Sequence, residues 1–175
     1  MITRIIGIDP GSQRTGYGVI EVNQNELTYV ASGVVNLPKV GLPLRLKTIF
    51  DGVNKIIDQY QPTELGIEEV FMSKNSGSAL KLGQARGAAI VAAANAGLEI
   101  SEYSARTIKK SVVGAGAASK EQVQKMVVQL LNLDDVPPED AADGLAAAIC
   151  HGYSRRAIKV LTESESGRFS RGRYK

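Results

Sequence analysis

Thr3 to Asp9 (TRIIGID) is a short apolar run that closes on an acid, and the Asp9-Pro10-Gly11-Ser12 stretch behind it is turn chemistry, because proline and glycine do not continue a strand ladder. The run predicts a buried strand that stops at Asp9. Tyr17 to Val22 and Leu27 to Asn36, rich in Val, Ile and Tyr and parted by the polar Asn23-Gln24-Asn25, predict two further strands, and their short turns predict an antiparallel meander. Behind Pro43, a favourable first helical residue, Leu46, Ile49, Val53, Ile56, Ile57 and Tyr60 recur at helical spacing, and Pro62 follows the end. This helix is expected to cover one face of the sheet.

The pattern then alternates. Glu64 to Val70 (ELGIEEV) predicts a strand, Ser78 to Asn95 a helix whose alanines and glycines permit close backbone approach, and Glu99 to Tyr103 a strand with Ser104 as the cap of a following helix. Ser119 with Gln122 forms a capping-box pattern ahead of Val123, Met126, Val127, Leu130 and Leu131, Pro137-Pro138 halts the chain, and Asp140 to about Tyr153 is helical. Helix, strand, helix, strand and helices after a meander predict an α/β domain with a mixed sheet and flanking helices. Past Glu163 the sequence is rich in Ser, Gly and Arg with little apolar periodicity, so one domain is expected over 1–157 and a basic, disordered tail over 158–175.

Composition narrows the possibilities. A chain of 175 residues, 43% hydrophobic, can fill the core of a single domain. Cys150 is the one cysteine and His151 the one histidine, which excludes an internal disulfide and a four-ligand structural zinc site. No apolar run approaches the ~18 to 20 residues that span a bilayer, and Asp9 stands where a signal peptide needs an apolar stretch. A soluble cytoplasmic protein with no membrane partner is expected.

The net charge of +3 says less than its distribution. From Arg155 to Lys175 there are seven basic residues against Glu163 and Glu165, and from Phe71 to Leu131 eight basic residues against three acids. Asp134 to Asp143 holds five acids and no base. A polyanion bound by the basic parts, with acids kept for another purpose, is the economical reading; a solvated surface with an untidy charge order is the ordinary one.

Two apolar strands end in acids, Asp9 and Glu68, while Asp140 and Asp143 share a face at the start of a helix. Singly, each has an ordinary role in a turn, at a strand edge or against a helix dipole. Together they offer four oxygen ligands with no nitrogen or sulfur set to compete, the preference of Mg²⁺ or Mn²⁺. Two such ions ~3.5 to 4 Å apart can activate water and stabilise the leaving oxygen of a phosphodiester.

Four blocks carry a resemblance: Ile8-Asp9-Pro10-Gly11-Ser12 with Thr15-Gly16-Tyr17-Gly18; Ile67-Glu68-Glu69-Val70-Phe71; Ala79-Leu80-Lys81-Leu82-Gly83-Gln84-Ala85-Arg86-Gly87; and Asp140-Ala141-Ala142-Asp143 with Ala148-Ile149-Cys150-His151. In order and spacing, over about residues 2 to 155, the chain resembles the RuvC family of bacterial Holliday junction resolvases. The resemblance implies an RNase H-like fold, a homodimer, a branch-migration helicase complex as partner, and Mg²⁺-dependent paired nicking of four-way junction DNA with two ions per site and Mn²⁺ able to substitute. It places the metal-binding acids at Asp9, Glu68, Asp140 and Asp143, basic residues near the scissile phosphate at Lys109 and Lys120, and a base-stacking aromatic at Phe71. Gly66 and Gly144 stand where the family often has other small residues.

The remaining candidates lie in the basic middle of the chain. Phe71 is one of three phenylalanines and follows the Glu68 strand, which suits either a core residue or a stacking platform. Lys120 follows the cap Ser119, where an ordinary helix prefers an acid and a bound phosphate would suit a lysine. Lys74, Lys81 and Arg86 complete the expected DNA-binding set with Phe71, Lys109 and Lys120. His151 and Cys150 are expected to be structural. An actin-like ATPase would need two such domains. An RNase H-like nuclease of the RuvX type, acting on RNA, lacks the second and third blocks, and a non-catalytic DNA-junction-binding module is the reading left if the acids serve folding alone.

Overall fold

The computed structural model describes residues 2–24, 26–70 and 76–169, with side chains described as far as Arg155. Strands β1 (Thr3–Asp9), β2 (Arg14–Asn23) and β3 (Glu26–Asn36) precede helix α1 (Leu42–Tyr60); β4 (Glu64–Glu68), α2 (Ser76–Asn95), β5 (Glu99–Tyr103), α3 (Ala105–Val113), α4 (Lys120–Leu131) and α5 (Glu139–Phe169) follow. The sheet order is β3-β2-β1-β4-β5. The first three strands form the expected antiparallel meander, and β4 and β5 run parallel to β1, so the sheet is mixed.

The central strand is buried on both faces, and its alternation sorts the core. Ile6 and Ile8 of β1, with Leu65 and Ile67 of β4, pack against α1 and α2. Ile5 packs on the other side with Ile20, the apolar faces of α3 and α4, and the Leu145 to Cys150 stretch of α5. Strand alternation therefore turns Asp9, like Ile5, toward α5. That helix lies almost backbone to backbone on the sheet. A Cβ at Gly16 would stand 1.7 Å from the Asp140 carbonyl oxygen, so only glycine lets β2 and the first turn of α5 come this close.

The helix caps agree with the sequence. Ser104 Oγ accepts the Thr107 N–H, and Ser119 with Gln122 forms a complete capping box. Several boundaries differ: β2 starts at Arg14 and not at Tyr17, and α2 at Ser76 and not at Ser78. β4 ends at Glu68 and not at Val70, because its partner β5 ends at Tyr103, the register mate of Glu68. α5 runs to Phe169 and does not end near Tyr153, since no proline interrupts the intervening sequence. The 157/158 boundary falls within this helix, and residues 170–175 lie outside the described residues.

Candidate metal-dependent nuclease site

Parallel pairing of β1 and β4 matches Ile8 with Ile67, so Asp9 and Glu68 emerge side by side at the same end of the sheet. The first turn of α5 brings Asp140 and Asp143 to that end, started cleanly by Pro137 and Pro138, whose second carbonyl accepts the Ala142 N–H at 2.9 Å. Four acids from three elements thus share one cleft.

Their electrostatics show how closely they face one another. Asp9 is pushed up to about 7, first by burial and then by the charges of Glu68, Asp143 and Asp140, with Lys120 pulling the other way. Burial likewise raises Glu68, with Asp143 adding and Lys109 and Lys120 opposing. Asp143 is raised by burial against the pull of Lys120, with Glu139 and Asp140 adding. Half-buried carboxylates that repel one another, with only Asp143 engaged by the Lys120 ammonium, are held together poorly as bare anions.

Two lysines flank the acids. Lys120, in the first turn of α4, pairs with Glu139 and lies 3.7 Å from Asp143 Oδ2. The bond to Glu139 is the largest reason its ammonium is held above the ordinary lysine range. Lys109, half-buried on α3, puts its charge on Glu68. The four candidate ligands and both basic residues therefore lie at one end of the sheet, within electrostatic reach of one another. Lys81 is exposed on α2, beside Ser12, Leu37 and Arg45. Arg86 is turned inward: its Nε donates to the Glu68 carbonyl at 3.1 Å and its other nitrogen engages Glu102. Phe71 and Lys74 lie outside the described residues.

Sequence reading passed over two residues here. Arg14, at the head of β2, stands 3.6 Å from Asp140, and Glu139 holds Lys120. Glu139 had a signal, since it adjoins Asp140 in the acidic stretch after the prolines. Arg14 had none, because its place depends on how β2 meets α5.

The donor set fits a hard divalent cation. Every candidate ligand is a carboxylate oxygen, and a cation among them would offset the repulsion that raises Asp9. Among the described residues no three His, Cys, Asp or Glu side chains already converge as a ready-made ligand cluster, so binding would draw the carboxylates inward. No described helix is long and apolar enough to cross a membrane.

The family model for the crossover junction endodeoxyribonuclease RuvC matches residues 5–151. A relative from Psychromonas ingrahamii, the crossover junction endodeoxyribonuclease RuvC, is 55% identical over 171 residues, covering 98% of each chain. Among solved structures, Thermus thermophilus RuvC superposes with a TM-score of 0.79 at 32% identity, over 89% of this chain and 97% of that one. The same protein in complex with Holliday junction substrate gives a TM-score of 0.82 at 32% identity, over 89% and 96%.

Proposed function

The chain belongs to the RuvC family of crossover junction endodeoxyribonucleases, and on that footing we propose that Asp9, Glu68, Asp140 and Asp143 are the metal ligands of its active site. It is a metal-dependent hydrolytic nuclease with an RNase H-like fold that resolves Holliday junctions in recombination and repair. The observation that carries the ligand assignment is Asp9, held at about 7 by burial and by the charges of the other three acids. Mg²⁺ is the cofactor, two ions per site, with Mn²⁺ able to substitute; bound there, they supply water activation and stabilisation of the leaving oxygen.

The surrounding residues position the DNA. Lys120, beside Asp143 at an N-terminal helix turn, and Lys109, beside Glu68, hold the scissile phosphate from the two flanks of the cleft. Phe71, three positions past the end of β4 in the sequence, stacks on an unpaired base at the branch point, while Lys74 and Lys81 bind backbone phosphate. Arg86 contributes by bracing the Glu68 end of β4. Arg14 caps the Asp140 side of the mouth.

A junction has two scissile strands, so the working unit is a homodimer. Its face is α2, where Leu80 (69% exposed) and Val91 (55% exposed) lie on one stripe with Gly83 and Gly87, neither of which would bring a Cβ within 4 Å of another group. Residues 1–157 form the nuclease domain and 158–175 a basic extension. The dimer works in the cytoplasm with a branch-migration helicase complex. A synthetic four-way junction tests the activity: paired, symmetric nicks in Mg²⁺ and none in EDTA are expected, and equal cleavage of linear duplex or of RNA would overturn the reading.

A further inference from the structure

A second polar cluster lies away from the cleft, buried between the sheet and α5. Glu64 and His151 are only 8% and 4% exposed, and such groups are tolerated where their hydrogen bonds are met. Here they are met. His151 Nε2 donates to Glu64 Oε2 at 2.8 Å, and the Tyr103 hydroxyl donates to His151 Nδ1 at 2.7 Å. Arg155 takes both Glu64 oxygens, each at 2.8 Å. Burial holds the imidazole below its ordinary pKa although Glu64 pulls the other way, so the ring is neutral, with one donating and one accepting nitrogen as this chain of bonds requires.

The cluster is connected to the acids by two rods of matching length. Glu64, Gly66 and Glu68 alternate onto the face of β4 that meets α5, and Glu64 stands ~13 Å from Glu68 along the strand. His151 stands eight residues, ~12 Å, from Asp143 along the helix. Strand and helix run in opposite directions here, so the Glu64–His151 pair lies at one end and Glu68 with Asp143 at the other. Between the ends the contact is smooth: a Cβ at Gly66 would lie 2.8 Å from the Ala147 carbonyl oxygen and from His151 Cβ, so no strand side chain keys into the helix there. Tyr103 closes the circuit, since it is the register mate of Glu68 and its carbonyl accepts the Glu69 N–H at 2.8 Å.

We propose that the Tyr103, His151, Glu64 and Arg155 chain is a positioning device that fixes the axial register of α5 on β4, and thereby the separation of Glu68 from Asp143. The proposal rests on the assignment of those two acids as metal ligands. A slip by a single residue's rise, ~1.5 Å, would exceed the ~0.5 Å within which a preorganised site must be held. The hydrophobic effect is non-directional, and the closest glycine contacts of α5 lie on β1 and β2, whereas hydrogen bonds to the buried Glu64 carboxylate add a directional constraint on the β4 side.

The test is Mn²⁺ titration of the metal-free protein, followed by nicking of a four-way junction against Mn²⁺ concentration. His151→Leu should weaken Mn²⁺ binding by about tenfold and lower the nicking rate at saturating metal, with junction binding in EDTA unchanged. His151→Gln, whose amide nitrogen can still donate to Glu64, should recover most of that loss. Tyr103→Phe, which removes one hydroxyl, should weaken Mn²⁺ by about threefold. Mn²⁺ binding and nicking within about twofold of the unsubstituted protein in both His151→Leu and Tyr103→Phe would overturn the proposal. Should His151→Leu not fold, Tyr103→Phe decides alone, and an unshifted titration overturns it. An unsubstituted protein that binds Mn²⁺ but nicks no junction would overturn the functional reading instead, while the titrations still judge the positioning role.

Discussion

Asp9 and Glu68 stand side by side because β1 and β4 are parallel neighbours, and each acid is one step beyond the Ile8 and Ile67 register pair. Strand pairing thus forces two like charges together at the end of an apolar sheet. After burial, the Glu68 charge is the largest cause of the raised Asp9 pKa. A fold that gained nothing from this pair would be more stable without it, which is the expected mark of a site kept for chemistry.

Asp9→Asn should therefore stabilise the metal-free protein while abolishing its activity. The amide keeps the shape and removes one of four mutually repelling charges, so a rise of about 2 to 4 °C in melting temperature is expected. Nicking should fall at least ~100-fold with junction binding retained in a gel shift. Nicking within about tenfold of the unsubstituted protein would remove Asp9 from the ligand set.

The same group sets a pH dependence. Its folded pKa of about 7 lies above the ordinary 3.8, so between these values the folded chain holds a proton that the unfolded chain releases. The stabilising contribution is fully present below about pH 4 and is lost as pH rises through 7, and the raised Glu68 and Asp143 act in the same direction. Metal-free protein should melt at a lower temperature at pH 8 than at pH 6, and Mg²⁺ should restore more at pH 8 than at pH 6. Thermal melts at the two pH values, with Asp9→Asn as the flattened control, check this.

Much of this was legible in the sequence because it depends on local pattern. The strands that carry Asp9 and Glu68, the Ser119 capping box and the helix start beside Asp140 are written in short runs of residues. What was not legible depends on cross-chain geometry. Arg86 reads from the sequence as a DNA-binding cation, yet it braces the Glu68 carbonyl, because α2 crosses the end of β4. His151 reads as structural and is buried, but its partners Glu64 and Tyr103 come from strands whose order no local pattern reveals.

Gly16 offers a test of the α5 contact. A methyl group there would meet the Asp140 carbonyl at 1.7 Å, and neither backbone can move without the other. Gly16→Ala should destabilise by about 3 kcal/mol and reduce nicking, because it displaces Asp140. A denaturation midpoint unchanged from the unsubstituted protein would mean that α5 does not lie against β2 this closely.

Phe71→Ala should lose junction cutting more than junction binding. Phosphate contacts carry most of the affinity, whereas a stacked base, worth ~1 to 3 kcal/mol, holds the branch point open. Both quantities are read on one labelled junction. A large drop in melting temperature would instead identify Phe71 as core.

The dimer gives the most demanding prediction. One chain supplies a single set of four acids, and its expected radius of gyration of ~16 Å is too small for one set to serve both scissile phosphates at once. The substrate's two-fold symmetry is most simply met by a C2 dimer with both clefts on one side. Dimers isolated with one unsubstituted and one Asp9→Asn subunit should convert a supercoiled cruciform to nicked circles, and unsubstituted dimers should convert it to linear product. Gly87→Leu, placed on the exposed α2 stripe where the isolated chain has room for a side chain, should leave the monomer folded and shift the sedimentation profile toward monomer. Linear product at the unsubstituted rate from mixed dimers would show that one cleft makes both cuts, and a Gly87→Leu dimer of normal strength would move the interface off α2.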